Sequence, residues 1–329
     1  MEESTRKQLR REGNTQAGVL LIYMGIMNVA VAVVIVLAFL MRILQSALAQ
    51  DNLDQLLDSI DSVLELALIS ADWGYLLAIV VGLLMLLLWK KPAYIRDTIL
   101  QSEKRMSWRD FMLLSVLFFT GQQLFQWWYL LLDWLGRLMG ISVDSILDSV
   151  SVDTHRLPMF LYAGILGPIA EEILFRGLVL RSLRPYGKKF AIVVSAILFG
   201  LFHGNLMQVP FAFVVGLVLG YVALEYSIGW AVVLHVMNNL GYADLLPRLL
   251  SHLPAGVDEV IITVFLWICT VGSVVILICH WPQIRQYWRV NPTEKGSYAA
   301  FFRAPAMTVF LVLMVPVILL ALPLLGLLS

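Results

Sequence analysis

The chain has 329 residues, 60% of them hydrophobic and 14% charged, a composition that excludes an ordinary soluble domain and supplies several stretches long enough to cross a bilayer. Lys plus Arg and Asp plus Glu balance at 23 each, which argues against a nucleic-acid binder and makes the placement of charge more informative than its sum. Cys269 and Cys279 sit in one apolar run about 15 Å apart along a helix, too far for a disulfide or a shared metal.

Apolar runs at 17–41, 73–89, 111–135, 157–183, 190–206, 209–226, 228–247, 258–280 and 305–328 predict an all-α polytopic membrane bundle of about nine transmembrane helices. The organisation reads as 1–156, with three spans and an acidic external joint, then a core of four spans at 157–247, then two spans in 248–329. Before the first run stand Arg6, Lys7, Arg10 and Arg11. Ser46-Ala-Leu-Ala49 resembles a signal-peptidase site, but the run before it has about 25 residues against the roughly 7–15 of a cleavable signal, so the first span is expected to stay.

The joint after it repeats carboxylates at Asp51, Asp54, Asp58, Asp61 and Glu65, with Leu53, Leu57, Ile60 and Leu64 on another face. That is the period of an amphipathic helix resting on the membrane rim, and 142–153 repeats it in miniature. Basic joints alternate with these acidic ones: Lys90 to Arg109, Arg181 to Lys189, and Arg285 to Lys295. The alternation predicts a cytoplasmic N-terminus and an external C-terminus. Trp73, Trp89, Trp127, Trp128, Trp230 and Trp281 fall at span ends, as interfacial anchors do.

The fourth run carries Gly167-Pro-Ile-Ala-Glu-Glu-Ile-Leu-Phe-Arg-Gly177, two carboxylates and a guanidinium at membrane depth. Glu172 and Arg176 are four apart on one helix face, whereas Glu171 points about 100° away and is left unpaired. An unpaired ionisable group in a span costs on the order of 3 kcal/mol and belongs in a bundle interior or a cavity. His203 follows in Phe199-Gly-Leu-Phe-His-Gly204, and His235 and Asn239 share a face of the seventh run. Counted from the cytoplasmic ends, Glu171 and His203 lie about 18 and 20 Å deep, and His235 with Asn239 about 11–17 Å. Intramembrane polar groups often serve only to hold helices together. Four of them from three helices in one layer point instead to a polar pocket, in a bundle tightened by Gly200-xxx-Gly204 and Gly216-xxx-Gly220. Pro168 frees a backbone carbonyl just before the glutamates.

Glu171-Glu172-xxx-Arg176, Phe199-xxx-His203 and His235-xxx-Asn239 resemble, in order, the three motifs of the CPBP intramembrane proteases, the CAAX-protease and bacteriocin-processing (Abi) family that includes the type II CAAX prenyl endopeptidase. The resemblance covers 157–247. It implies that Glu171 is the general base for a catalytic water, that His203 binds or polarises this water, and that His235 with Asn239 stabilises the oxyanion. Glu172, Arg176 and Phe199 would orient the site. The family is commonly called metalloprotease, so a divalent metal such as zinc on Glu171, His203 and His235 stands beside a metal-free mechanism, which is preferred. The implied partners are the lipid bilayer and a membrane protein or peptide substrate, with no nucleic acid, in a bacterial plasma membrane. Two other readings stand beside the protease: a non-catalytic scaffold or bacteriocin-immunity factor of the same fold, and a transporter, which lacks its usual inverted repeat here.

Overall fold

The computed structural model describes residues 2–49, 60–90, 94, 96, 101–140, 143 and 153–326. Most of the acidic stretches for which amphipathic helices are expected, 51–59 and 144–152, lie outside them. Among the described residues all regular structure is helical. Every apolar run of the sequence coincides with a helix: α1 (Glu3–Ala49), α2 (Ile60–Trp89), α3 (Trp108–Met139), α4 (157–183), α5 (Lys188–Phe202), α6 (Gln208–Glu225), α7 (228–250), α8 (Val257–Cys279) and α11 (Pro305–Gly326). Two short helices, α9 (Trp281–Val290) and α10 (Ser297–Phe302), lie between α8 and α11.

Four helical segments are long and apolar enough to cross a membrane, Glu3–Ser46, Glu65–Trp89, Gln208–Glu225 and Val257–Cys279. Three of the others differ for visible reasons. Helix α5 has only 15 residues, and α4 and α7 are interrupted by π-helical segments, Tyr162–Leu166, Ile173–Leu180 and Met237–Leu245. A π-turn keeps the backbone hydrogen-bonded while adding a residue, so it turns the side chains that follow onto a new face.

Glycines set the closest packing. A Cβ on Gly216 or Gly220 would stand 3.2 Å from Ala196 or 3.3 Å from Ile192, and one on Gly200 2.8 Å from the carbonyl oxygen of Val209. These three seat α5 against α6, as their spacing predicts. Gly204 does not belong with them: it sits past the end of α5 with φ +67°, where it makes the turn. Gly74 lets the backbone of Val31 in α1 approach α2, and Gly82 does the same for the Tyr23 ring. Helix α3 is tied to α8 by Thr120, whose hydroxyl lies 2.7 Å from that of Ser273 and 3.0 Å from the carbonyl of Cys269. Both cysteines are free.

Ion pairs close the two ends of the core. At the acidic end Arg156 donates to Asp72 at 2.6 Å, and Arg248 donates to Asp244 and to the Thr154 carbonyl at 2.8 and 2.7 Å. At the basic end Glu225 gathers Lys188 at 2.6 Å, Lys104 at 3.1 Å and the Tyr287 hydroxyl at 2.9 Å. The hydrogen bond to Glu225 holds Lys104 above the usual lysine range. The tryptophans divide: Trp73, Trp89, Trp127 and Trp281 are exposed as anchors, whereas Trp128 donates to the Leu206 carbonyl and Trp230 packs on Phe111.

Candidate active site

Helix α4 reaches the site through its interruptions. The N–H of Gly167 bonds to the carbonyl of Tyr162 in the π pattern. Pro168, next in line for the carbonyl of Ala163, has no N–H to offer. That carbonyl is taken across the bundle by the side-chain amide of Asn239 at 3.0 Å. The freed carbonyl anticipated from Pro168 therefore has its partner in one of the candidate residues.

The two glutamates differ sharply. The Glu172 side chain is 0% exposed and that of Glu171 26%. Oε1 of Glu172 accepts from Nη1 of Arg176 at 3.0 Å and from Nδ1 of His235 at 2.9 Å, while its Oε2 is buried without a protein partner. The i,i+4 pairing with Arg176 is as the sequence predicts; the bond to His235 is additional. Arg176 also donates to the Gly216 carbonyl at 3.4 Å and lies over the Phe199 ring, 4.3 Å from its centroid. The same ring meets His203 and His235 edge-on at 4.9 and 5.8 Å, so Phe199 spaces the guanidinium from both imidazoles.

Hydrogen bonding sets the imidazole tautomers. Nδ1 of His203 lies 2.8 Å from the Phe199 carbonyl, which only accepts, so Nδ1 carries the proton and Nε2 presents a lone pair. His235 is arranged alike: with an ionised Glu172, Nδ1 donates to it, leaving Nε2 3.8 Å from Oε2 of Glu171. That separation is beyond a hydrogen bond and leaves both lone-pair-bearing atoms open to the site. Glu171, Glu172, Arg176, Phe199, His203 and His235 thus form one cluster. Asn239 is joined to the same helix pair nearer the start of α4, at Ala163.

Several participants escaped the sequence reading. Asn238 accepts from Gln122 of α3 at 2.6 Å and donates to Asn239 at 3.0 Å, so a polar chain runs Gln122, Asn238, Asn239, Ala163 through the bundle. The Asn238-Asn239 doublet and Gln122-Gln123 were its visible signals. The rings of Tyr23, packed on Phe202 at 6.2 Å, and Tyr162, stacked on Tyr75 at 4.9 Å, lie next to these residues. Beside them a cavity of about 220 Å³ is lined by Met24, Met27, Asn28 and Val31 of α1, Tyr75 of α2 and Phe202 of α5.

A structural zinc needs several ligands converging at about 2 Å. Among the described residues no group of three or more His, Cys, Asp and Glu side chains is placed to hold a metal ion. Glu171, His203 and His235 as they stand do not converge on one metal position.

Residues 153–241 match the family model described as type II CAAX prenyl endopeptidase Rce1-like. The matched segment contains all three motifs and agrees with the CAAX-protease resemblance. No curated protein and no solved structure matched the chain.

Proposed function

We propose that this protein is an intramembrane endopeptidase that hydrolyses a peptide bond of a membrane-associated protein or peptide, using a water activated by Glu171. The observation that carries the reading is the contrast between neighbouring carboxylates. Glu172 is fully buried and bonded to Arg176 and His235, whereas Glu171 is partly exposed and faces the Nε2 side of His235.

In this reading Glu171 takes a proton from water as the water oxygen bonds to the substrate's carbonyl carbon, and the carbonyl oxygen becomes an oxyanion. The lone pair on Nε2 of His203 accepts the water's second proton in a hydrogen bond and so aims the nucleophile. The remaining amide proton of Asn239 attends the oxyanion, whereas His235, whose Nδ1 proton is committed to Glu172, turns only a lone pair toward the site. When the tetrahedral intermediate collapses, the C–N bond breaks and the proton held by Glu171 passes to the leaving amine. The apolar cavity between α1, α2 and Phe202 receives the oily part of a membrane-held substrate.

The catalytic core is 157–247, embedded in about nine crossing helices. The alternation of basic and acidic joints supports a cytoplasmic N-terminus and an external C-terminus, and the proposed setting is a bacterial plasma membrane. Membranes incubated with the intact protein should release peptides that a Glu171→Ala form does not release. An identical peptide set from both forms would favour the scaffold or immunity-factor reading instead.

A further inference from the structure

Helix α9 stands apart from the packed core: none of its 10 residues is buried. Its place follows from the sequence. Pro282 has no N–H for the carbonyl of Ile278, so α8 stops at Cys279 and a new helix begins. The new helix is tied to the basic end of the core. The Tyr287 hydroxyl donates to Glu225 at 2.9 Å, its ring meets Tyr221 at 5.4 Å, and the ammonium of Lys189 lies 5.3 Å from the Trp288 ring centroid.

At about 100° per residue the side chains of α9 sort into three sides. Ile284, Tyr287 and Trp288 are half-buried and face the bundle. Trp281, Arg285 and Arg289, each four residues from the next, form an adjoining stripe, and all three are exposed. Gln283 and Gln286 are exposed on the far side. Trp281 follows directly on the exposed apolar stripe of α8, formed by Trp267, Val271, Val274, Val275 and Ile278. An apolar stripe on a crossing helix ends where hydrocarbon ends, so Trp281, Arg285 and Arg289 stand at headgroup level.

The protein leaves both arginines unneutralised. Among the described residues neither Arg285 nor Arg289 makes an ion pair or a side-chain hydrogen bond. Glu225, the carboxylate that Tyr287 reaches, is already shared by Lys188 and Lys104. At the same end Arg184 has its own partner, Glu103 at 2.6 Å. The unpaired cations are thus the two that face the membrane surface.

We propose that α9 is a docking strip for anionic phospholipid, with Arg285 and Arg289 on headgroup phosphates and Trp281 seated beside them at the edge of the hydrocarbon. Phosphate oxygens supply the acceptors that the protein withholds, in a geometry the guanidinium fork matches. Lipid binding there is independent of the peptidase chemistry.

The test uses the full chain in phosphatidylcholine vesicles, carrying a fluorophore on Cys279, which is exposed where Cys269 is buried. Brominated phosphatidylglycerol or brominated phosphatidylcholine, diluted into the vesicles, quenches only from next to the label and so reports which lipid gathers at α9. Phosphatidylglycerol should quench more at equal mole fraction. Arg285→Gln and Arg289→Gln should each lower its relative binding constant about fivefold, and the pair should bring it close to that of phosphatidylcholine. Arg285→Lys with Arg289→Lys keeps both charges and should keep most of the preference. Equal quenching by the two lipids around the wild-type protein, or a preference that survives in the glutamine pair, overturns the inference. So does a loss in the lysine pair as complete as that in the glutamine pair, because the effect would then come from the packing of α9 and not from its charge.

Discussion

Glu172 and Glu225 are both carboxylates withdrawn from solvent, at 0% and 5% side-chain exposure, yet they are satisfied in different ways. Glu225 uses both oxygens: Oε1 takes Lys188 and the Tyr287 hydroxyl, and Oε2 takes Lys104. Its partners come from three separate segments at the basic end, two of them with cations that reach toward water. Glu172 crowds Arg176 and His235 onto one oxygen, leaves the other without a protein partner among the described residues, and has Glu171 beside it with the His235 ring at 3.8 Å. A carboxylate that clamps segments is saturated. One that serves a reaction centre orients its neighbours and leaves capacity unspent, at a cost in stability that packing elsewhere must offset.

The comparison breaks most visibly at Glu171. Glu171→Gln keeps shape and removes the base, so turnover should fall by about 10²–10⁴ while the thermal melt in detergent stays put. A variant that melts early yet keeps its activity would reverse the roles given to the two glutamates.

Next in size is Glu172→Ala, which strands Arg176 and releases His235. Removing one partner of a buried pair costs about 3–5 kcal/mol. The double change Glu172→Ala with Arg176→Ala should recover much of that loss, since no unpaired charge remains, without restoring activity, because His235 has lost its orienting bond. Denaturation of both variants beside a cleavage assay checks it.

Asn239→Leu tests the polar chain through the bundle. It leaves the Ala163 carbonyl without a donor and Asn238 without an acceptor, a loss of about 1–3 kcal/mol for a buried unsatisfied group. Gln122→Leu should cost less, because Asn238 keeps its bond to Asn239. Equal melting temperatures for Asn239→Leu and wild type would show that the chain is not a structural tie.

The smallest effect is expected at the basic end. Lys104 is 64% exposed, and Lys104→Met should lower stability by no more than about 1 kcal/mol, with cleavage unaltered and the difference shrinking as salt rises. A loss as large as that of Glu172→Ala would mean that the two buried carboxylates are not different in kind.

Much of this was legible along the chain. Each apolar run became a helix because hydrophobic length is a local property, and Glu172 found Arg176 because the two lie one turn apart. The same turn geometry separated Glu171 from its neighbour before any packing was considered. Gly200, Gly216 and Gly220 were readable as contact points, while Gly204 was misassigned because the spacing pattern does not reveal where α5 ends.

The amino-acid sequence by itself determined the helices, the membrane-crossing character and which glutamate is left free, since all of these depend on residues within a few turns of one another. Tertiary structure decided the rest: His235 on Glu172, Asn239 on the carbonyl that Pro168 leaves open, Glu225 at the meeting of three segments, and Tyr23 against Phe202. Each of these contacts joins helices distant in the chain, and each depends on how far a helix is rotated about its axis. The π-turns in α4 and α7 set that rotation by adding residues the 3.6-residue period does not anticipate. A side chain's neighbours across a bundle therefore follow from packing, which the local pattern of the sequence does not contain.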